Sequence, residues 1–252
     1  MSTVHVVVAV DGSPASVQAL DRAAAEAVRR RVELVCLVVV RSEYDLDEAA
    51  PVLDLALARI RRRHVGLTLR AEHVVGDLVR VLPARQDGAA LTVVGLSRHA
   101  APPARAAVHR LARHATGPLM VVPAGPRPLG RGCDEVLFVP AGDEDADAAA
   151  FAFAEAARCG GSPLRVAHTW AYRGTPPGAP ADGADAAPGA GGGVAARTRP
   201  VAVTCAPSAA ELAEATRHAW VAVLAARAGG GRLRRALLRR AHCPVVFVPG
   251  AR

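Results

Sequence analysis

The chain of 252 residues has no lysine and no asparagine, and all 31 of its strongly basic side chains are arginine. A lysine Schiff base and the lysine of a phosphate-binding P-loop are both excluded. There are five cysteines, an odd number, with no Cys-x-x-Cys pair. That argues against a disulfide framework and a cysteine zinc site, and fits reduced, mostly buried thiols. The nine histidines are dispersed without metal-ligand spacing, so no metal site is expected. No apolar run reaches the ~18 residues of a membrane span, and the first strand follows the N-terminus with no charged and apolar leader. The expectation is a cytoplasmic protein without membrane contact. Aromatic residues make up 3% of the chain, against 51% hydrophobic overall, so the core must be built from Val, Leu and Ala. The formal net charge is +8. An exclusive use of arginine reads as a composition bias, which weakens the charge as evidence for nucleic acid.

What is present is an alternation of short apolar strands and amphipathic helices. Strands are expected at 4–10, 33–40, 67–75, 91–94 and 119–122, with helices at 15–30, 45–63, 77–85 and 104–115. Residues 123–132, rich in Pro, Gly and Arg, look like a linker. The pattern then restarts, with strands at 135–139, 164–170, 201–205, 221–224 and 245–248 and helices at 145–158, 209–218 and 233–241. Alternation of this kind predicts a parallel sheet with helices on both faces. The blocks Gly117-Pro118-Leu119-Met120-Val121-Val122-Pro123 and Cys243-Pro244-Val245-Val246-Phe247-Val248-Pro249 mark an internal repeat. The expected organisation is domain 1 at 1–124, a linker at 125–133 and domain 2 at 134–252. Residues 173–200, dominated by Gly, Ala and Pro, stand where the second copy needs its second helix. Their composition predicts a flexible, exposed insertion.

The chemistry-bearing stretch is Val6 to Ser13, an apolar strand that ends in Asp11-Gly12-Ser13 just before a helix. A ligand corner belongs at the carboxyl end of such a strand, and the helix N-terminus favours anions. The same residues also describe a helix cap, with Asp11 or Ser13 capping and Pro14 in the first turn, and both readings stay open.

This corner, the strand end Val93-Val94-Gly95, and His114-Ala115 ahead of Pro118 resemble a universal stress protein domain. The resemblance covers nearly the whole chain as two tandem copies. It implies a five-stranded α/β fold of the adenine nucleotide alpha hydrolase-like, Rossmann-like type, with the two copies forming an intramolecular pseudo-dimer through their last strands. It also implies a role in stress response and growth arrest, with ATP bound in many members between strands 1 and 4. Those members carry Gly-x2-Gly-x9-Gly-[Ser/Thr] after strand 4, because glycines let backbone N–H groups close on phosphate. Here Gly95 is kept, but Arg98 takes the second glycine position. The final Gly-Ser falls on Val108-His109 counted forward, or on Arg105-Ala106 counted back from Pro118. The nucleotide-binding residues carried over are therefore Asp11, Gly12, Ser13, Gly95 and Arg98. In copy 2, Val139-Pro140-Ala141-Gly142 lacks the acid, and Gly229-Gly230-Gly231 reads as a turn before the last helix.

Other motifs carry less. Gly95-Leu96-Ser97-Arg98-His99 fails the nucleophile-elbow pattern at its fifth position, so no catalytic residue is assigned. Asp143, Glu144, Asp145 and Asp147 precede a helix, whose dipole accounts for them. Arg232, Arg235 and Arg239 share a helix face. Without interleaved aromatics, a solvated surface accounts for them better than nucleic acid. The expectation is a non-enzymatic regulatory protein that acts through protein partners with weak or no ATP binding; homodimer formation is left open. An ATP- or AMP-binding sensor using the domain 1 corner is the first alternative, and an arginine-mediated nucleic-acid or polyanion binder the second.

Overall fold

The computed structural model describes residues 4–86, 88–125, 135–140, 145–168, 201–205, 208–227 and 230–250. The first half runs β1 (His5–Ala9), α1 (Pro14–Arg30), β2 (Glu33–Val40), α2 (Leu46–Arg63), β3 (Leu69–Val75), α3 (Leu78–Arg85), β4 (Ala89–Ser97), α4 (Pro102–Arg113) and β5 (Leu119–Ala124). The second runs β6 (Glu135–Phe138), α5 (Ala146–Arg158), β7 (Leu164–His168), β8 (Val201–Cys205), α6 (Ala209–Ala215), β9 (Ala219–Ala225), α7 (Gly230–Arg240) and β10 (Val245–Val248). The expected insertion at 173–200 and the linker at 125–133, apart from Gly125, lie outside the described residues.

All ten strands join one sheet in the order β3-β2-β1-β4-β5-β10-β9-β6-β7-β8. The order reads the same from either end once the halves are matched, so a pseudo-twofold axis passes between β5 and β10. These two strands pair antiparallel, with Met120 opposite Val246, while every other neighbouring pair is parallel. Val6 and Val8 pack into one core layer with α1, α2 and α5. Val7 packs into the other, with α3, α4, α6 and α7. A parallel strand buried on both faces needs such unbroken apolar runs.

Helix α1 sits low on the sheet because Ala19, Ala23, Ala24 and Ala27 are fully buried and add little bulk. Two of the boundaries that differ from expectation have plain local reasons. Pro102 and Pro103 open α4 instead of preceding it, since the first turn of a helix has no use for their missing N–H. Strand β4 does not stop at Gly95 but runs to Ser97, because β5 continues beside it and pairs Gly95 with Val122 and Ser97 with Ala124.

Candidate functional site

At the carboxyl end of β1 the backbone turns into α1 through Asp11, Gly12 and Ser13. Ser13 is the N-cap, and its Oγ accepts from the Ser16 N–H at 3.2 Å. The Asp11 carboxylate accepts from the Ser13 N–H at 2.9 Å. The Ser16 hydroxyl donates to the Ser13 carbonyl and accepts from the Asp11 N–H. Partial burial pushes the Asp11 carboxyl up, but hydrogen bonds from Ser13 and Ser16 outweigh it and hold the pKa below the usual carboxylate range. Gly12 turns at a φ of +77°, and a side chain there would touch Val52 of α2. Little of the helix terminus is left to receive an anion. Pro14 has no N–H, that of Ser16 is held by Ser13 Oγ, and that of Val17 by the Ser13 carbonyl.

Gly95 lies beneath this corner. A Cβ on it would come within 2.9 Å of the Ser16 nitrogen and closer still to the Ala15 carbonyl. The glycine is what lets β4 pass under the first turn of α1. Asp11, Gly12, Ser13 and Gly95 are thus gathered around one helix end.

Arg98 points elsewhere. Its Nη2 donates to the Ala241 carbonyl at 3.3 Å and lies 3.3 Å from His242 Nδ1, both in the second half. Arg105 braces the same turn by donating to the carbonyls of Arg98 and Ala100. Beside it, Gln18 of α1 exchanges two hydrogen bonds with the Gly125 backbone, each 3.1 Å. Sequence reasoning did not single out Gln18, and no motif spacing relates it to a residue so far along the chain.

In the second half, Val139 donates its N–H to Val223 and leads to Pro140, beyond which the corner leaves the described residues. Gly230 and Gly231 stand in the first turn of α7 and not in a turn ahead of it. Ser97 ends the extended β4 and accepts from the His99 N–H, so the segment is not a nucleophile elbow. Among the described residues no three His, Cys, Asp or Glu side chains gather as a metal site, and no helix is long and apolar enough to cross a membrane. Cys36 is buried, which pushes its thiol up to about 12.

A family model described as the universal stress protein family matches residues 3–123. No curated protein matches the chain. A universal stress protein from Archaeoglobus fulgidus superposes with a TM-score of 0.67 at 14% identity, over 98% of this chain and 96% of its own. A functionally unknown protein from Pseudomonas aeruginosa gives 0.62 at 15%, over 99% and 93%. A protein from the universal stress protein family of Burkholderia pseudomallei is 32% identical, over 49% of this chain and 98% of its own, with a TM-score of 0.38. The two likenesses that run through both halves show the fold.

Proposed function

The chain belongs to the universal stress protein family, and from that premise we propose that it is a non-catalytic stress-response protein that acts through protein partners and has little or no affinity for ATP. The two units, 1–124 and 134–252, would work as one pseudo-dimeric body joined at β5 and β10. One observation carries this reading. The polar groups of the corner are spent on each other, with Asp11 on Ser13, Ser13 on Ser16, and Arg98 on the far half of the molecule. An arriving nucleotide would have to compete with these bonds at the corner, and its phosphates would meet no glycine loop after β4.

Isothermal titration of the purified chain with ATP and AMP, after checking for co-purified nucleotide, tests the proposal. No heat at micromolar to millimolar nucleotide is expected. Micromolar binding that disappears in Asp11→Ala would overturn it in favour of an adenine-nucleotide sensor that uses Asp11, Gly12, Ser13, Gly95 and Arg98. That second reading has one observation of its own. Four of these five residues lie together near the carboxyl ends of β1 and β4, the side of the sheet on which open α/β folds take ligands.

A further inference from the structure

We propose that an apolar groove at the end of the sheet opposite the corner binds a single-chain aliphatic carboxylate, with Arg31 taking the carboxylate head. The groove lies where β1, β2 and β3 begin and where α1 and α2 end. Its volume is about 820 Å³, within the ~300–1,000 Å³ of small-molecule sites. Val28 and Val32 line it from the end of α1, Val4 from just ahead of β1, and Val65 and Leu67 from the segment between α2 and β3. Val4 is 56% exposed, Val28 46% and Val65 95%. Single exposed valines are ordinary, but three that converge on one hollow leave an apolar surface suited to an occupant.

Arg31 also lines the groove. It closes α1 in the left-handed conformation, with φ +56° and ψ +46°. Among the described residues no other residue except glycine has a positive φ. The Arg31 N–H donates to the Val28 carbonyl and the Val32 N–H to the Ala27 carbonyl, both at 3.1 Å, a helix end at which glycine is the usual residue. The chain thus carries a side chain where a bare glycine would be easier. The exposed Arg31 guanidinium makes no ion pair among the described residues, whereas Arg29 and Arg30 beside it both pair with Glu26.

The chemistry of the lining selects the ligand class. No Phe, Tyr or Trp lines the groove to stack a ring, and its valines suit an extended aliphatic chain. One unpaired guanidinium matches one carboxylate, fork to fork. Glu33 also lines the groove, held by Arg70 at 3.5 Å, and its charge disfavours a dianionic phosphate head. Three exposed valines offer far less than the ~800 Å² that each partner buries in a standard protein interface, so a small amphiphile fits better than a second chain.

The test is isothermal titration of the full chain with decanoate and with uncharged decanol, alongside Arg31→Gly and Val65→Asp. One decanoate per chain is expected, bound about tenfold more tightly than decanol, the worth of one charge-assisted contact. Shortening to octanoate should weaken binding about fourfold for each buried methylene lost. Arg31→Gly puts the easier residue at the helix end, so it should melt no lower than wild type while its preference for decanoate over decanol disappears. Val65→Asp should weaken both ligands by at least about tenfold, since a charge would lie against the aliphatic chain. Arg31→Gly decides the matter alone if Val65→Asp fails to fold by circular dichroism. The absence of a saturable isotherm overturns the proposal, as does equal affinity of wild type for decanoate and decanol, or a preference for decanoate that survives in Arg31→Gly. So does a concentration-dependent dimer in sedimentation that Val65→Asp dissolves and decanoate does not, which would give the groove to a second copy. Flotation with phosphatidylglycerol vesicles that decanoate fails to reverse would give it to a membrane surface, and overturns the proposal likewise.

Discussion

The guanidinium of Arg22 lies 3.8 Å over the ring of Trp220, which joins a helix of the first half to a strand of the second. Arg29 approaches the same ring at 4.7 Å. Behind them Glu26, fully buried, holds Arg22 at 3.0 Å and Arg30 at 3.4 Å and pairs with Arg29. Arg30 reaches across to Glu155 of α5, which is also fully buried and takes Arg158 at 2.7 Å. Burial disfavours the charge on Arg22, and Glu26 is its main support. The two halves are thus fastened on one face of the sheet by paired buried charge, while α4 and α7 on the opposite face carry arginines and no aspartate or glutamate of their own.

Removing one buried carboxylate from this network should cost far more than removing an exposed arginine. Glu155→Gln leaves Arg30 without its cross-half partner, a change worth about 3–5 kcal/mol where a buried pair is broken. Arg158→Ala removes only a partly exposed partner and should cost under ~1 kcal/mol. Urea unfolding followed by circular dichroism gives both values. A Glu155→Gln protein as stable as wild type would mean that the buried carboxylate does not balance the arginines.

Gly95 separates packing from ligand binding. If it serves mainly to admit phosphate, Gly95→Ala is tolerated when no nucleotide is present. The backbone of Ala15 and Ser16 occupies the place of the new methyl, so α1 must lift from the sheet. A loss of about 1–3 kcal/mol is expected in nucleotide-free protein, as for other overpacked cores. An unchanged melting temperature would refute the close-packing account.

The cap at α1 predicts an acid-dependent contribution from Asp11. Its pKa lies below the usual value because Ser13 and Ser16 donate to the charged form. The folded state therefore binds the proton less tightly than the unfolded chain. The stabilisation is complete above ~3.9 and disappears as pH falls through the folded pKa. Asp11→Asn should be less stable than wild type at pH 6, by about 1 kcal/mol, and the two should converge as pH falls through the folded pKa. A difference that stays constant across that range would exclude the carboxylate charge as its source.

How far the sequence could be read depended on how local each signal was. Val6 to Ser13 shows its strand, turn and cap in eight consecutive residues, and the matching Pro118 and Pro244 blocks announced the two strands that pair at the pseudo-twofold axis. Gly95 was legible as a glycine that must be glycine. Its reason was not, because a close helix and a close phosphate both demand a missing Cβ. Arg98 was read by its place in a motif, yet its side chain follows the nearest acceptors, and Ala241 and His242 lie in a part of the chain that no spacing connects to it. The arginines of α7 were visible as a helix face. That Arg113 stands opposite Arg234 depends on how the two last strands pair, which is a property of the assembled sheet.

His109 on α4 reports on the charge of that face. Burial lowers its pKa below the ordinary 6.5, and Arg234, Arg235 and Arg239 of α7, with Arg105 of its own helix, lower it further. No carboxylate opposes them among the described residues. On acidification the unfolded chain takes up this proton first, so the folded state loses stability as pH falls from ~6.5 towards the folded pKa and keeps its full contribution above that window. Proton NMR of the imidazole should place its midpoint below 6.5, and His109→Gln should flatten the stability profile between pH 5 and 7, values set by the ordinary histidine range. A midpoint at or above 6.5 in the free protein would show that the arginines of α7 do not face α4.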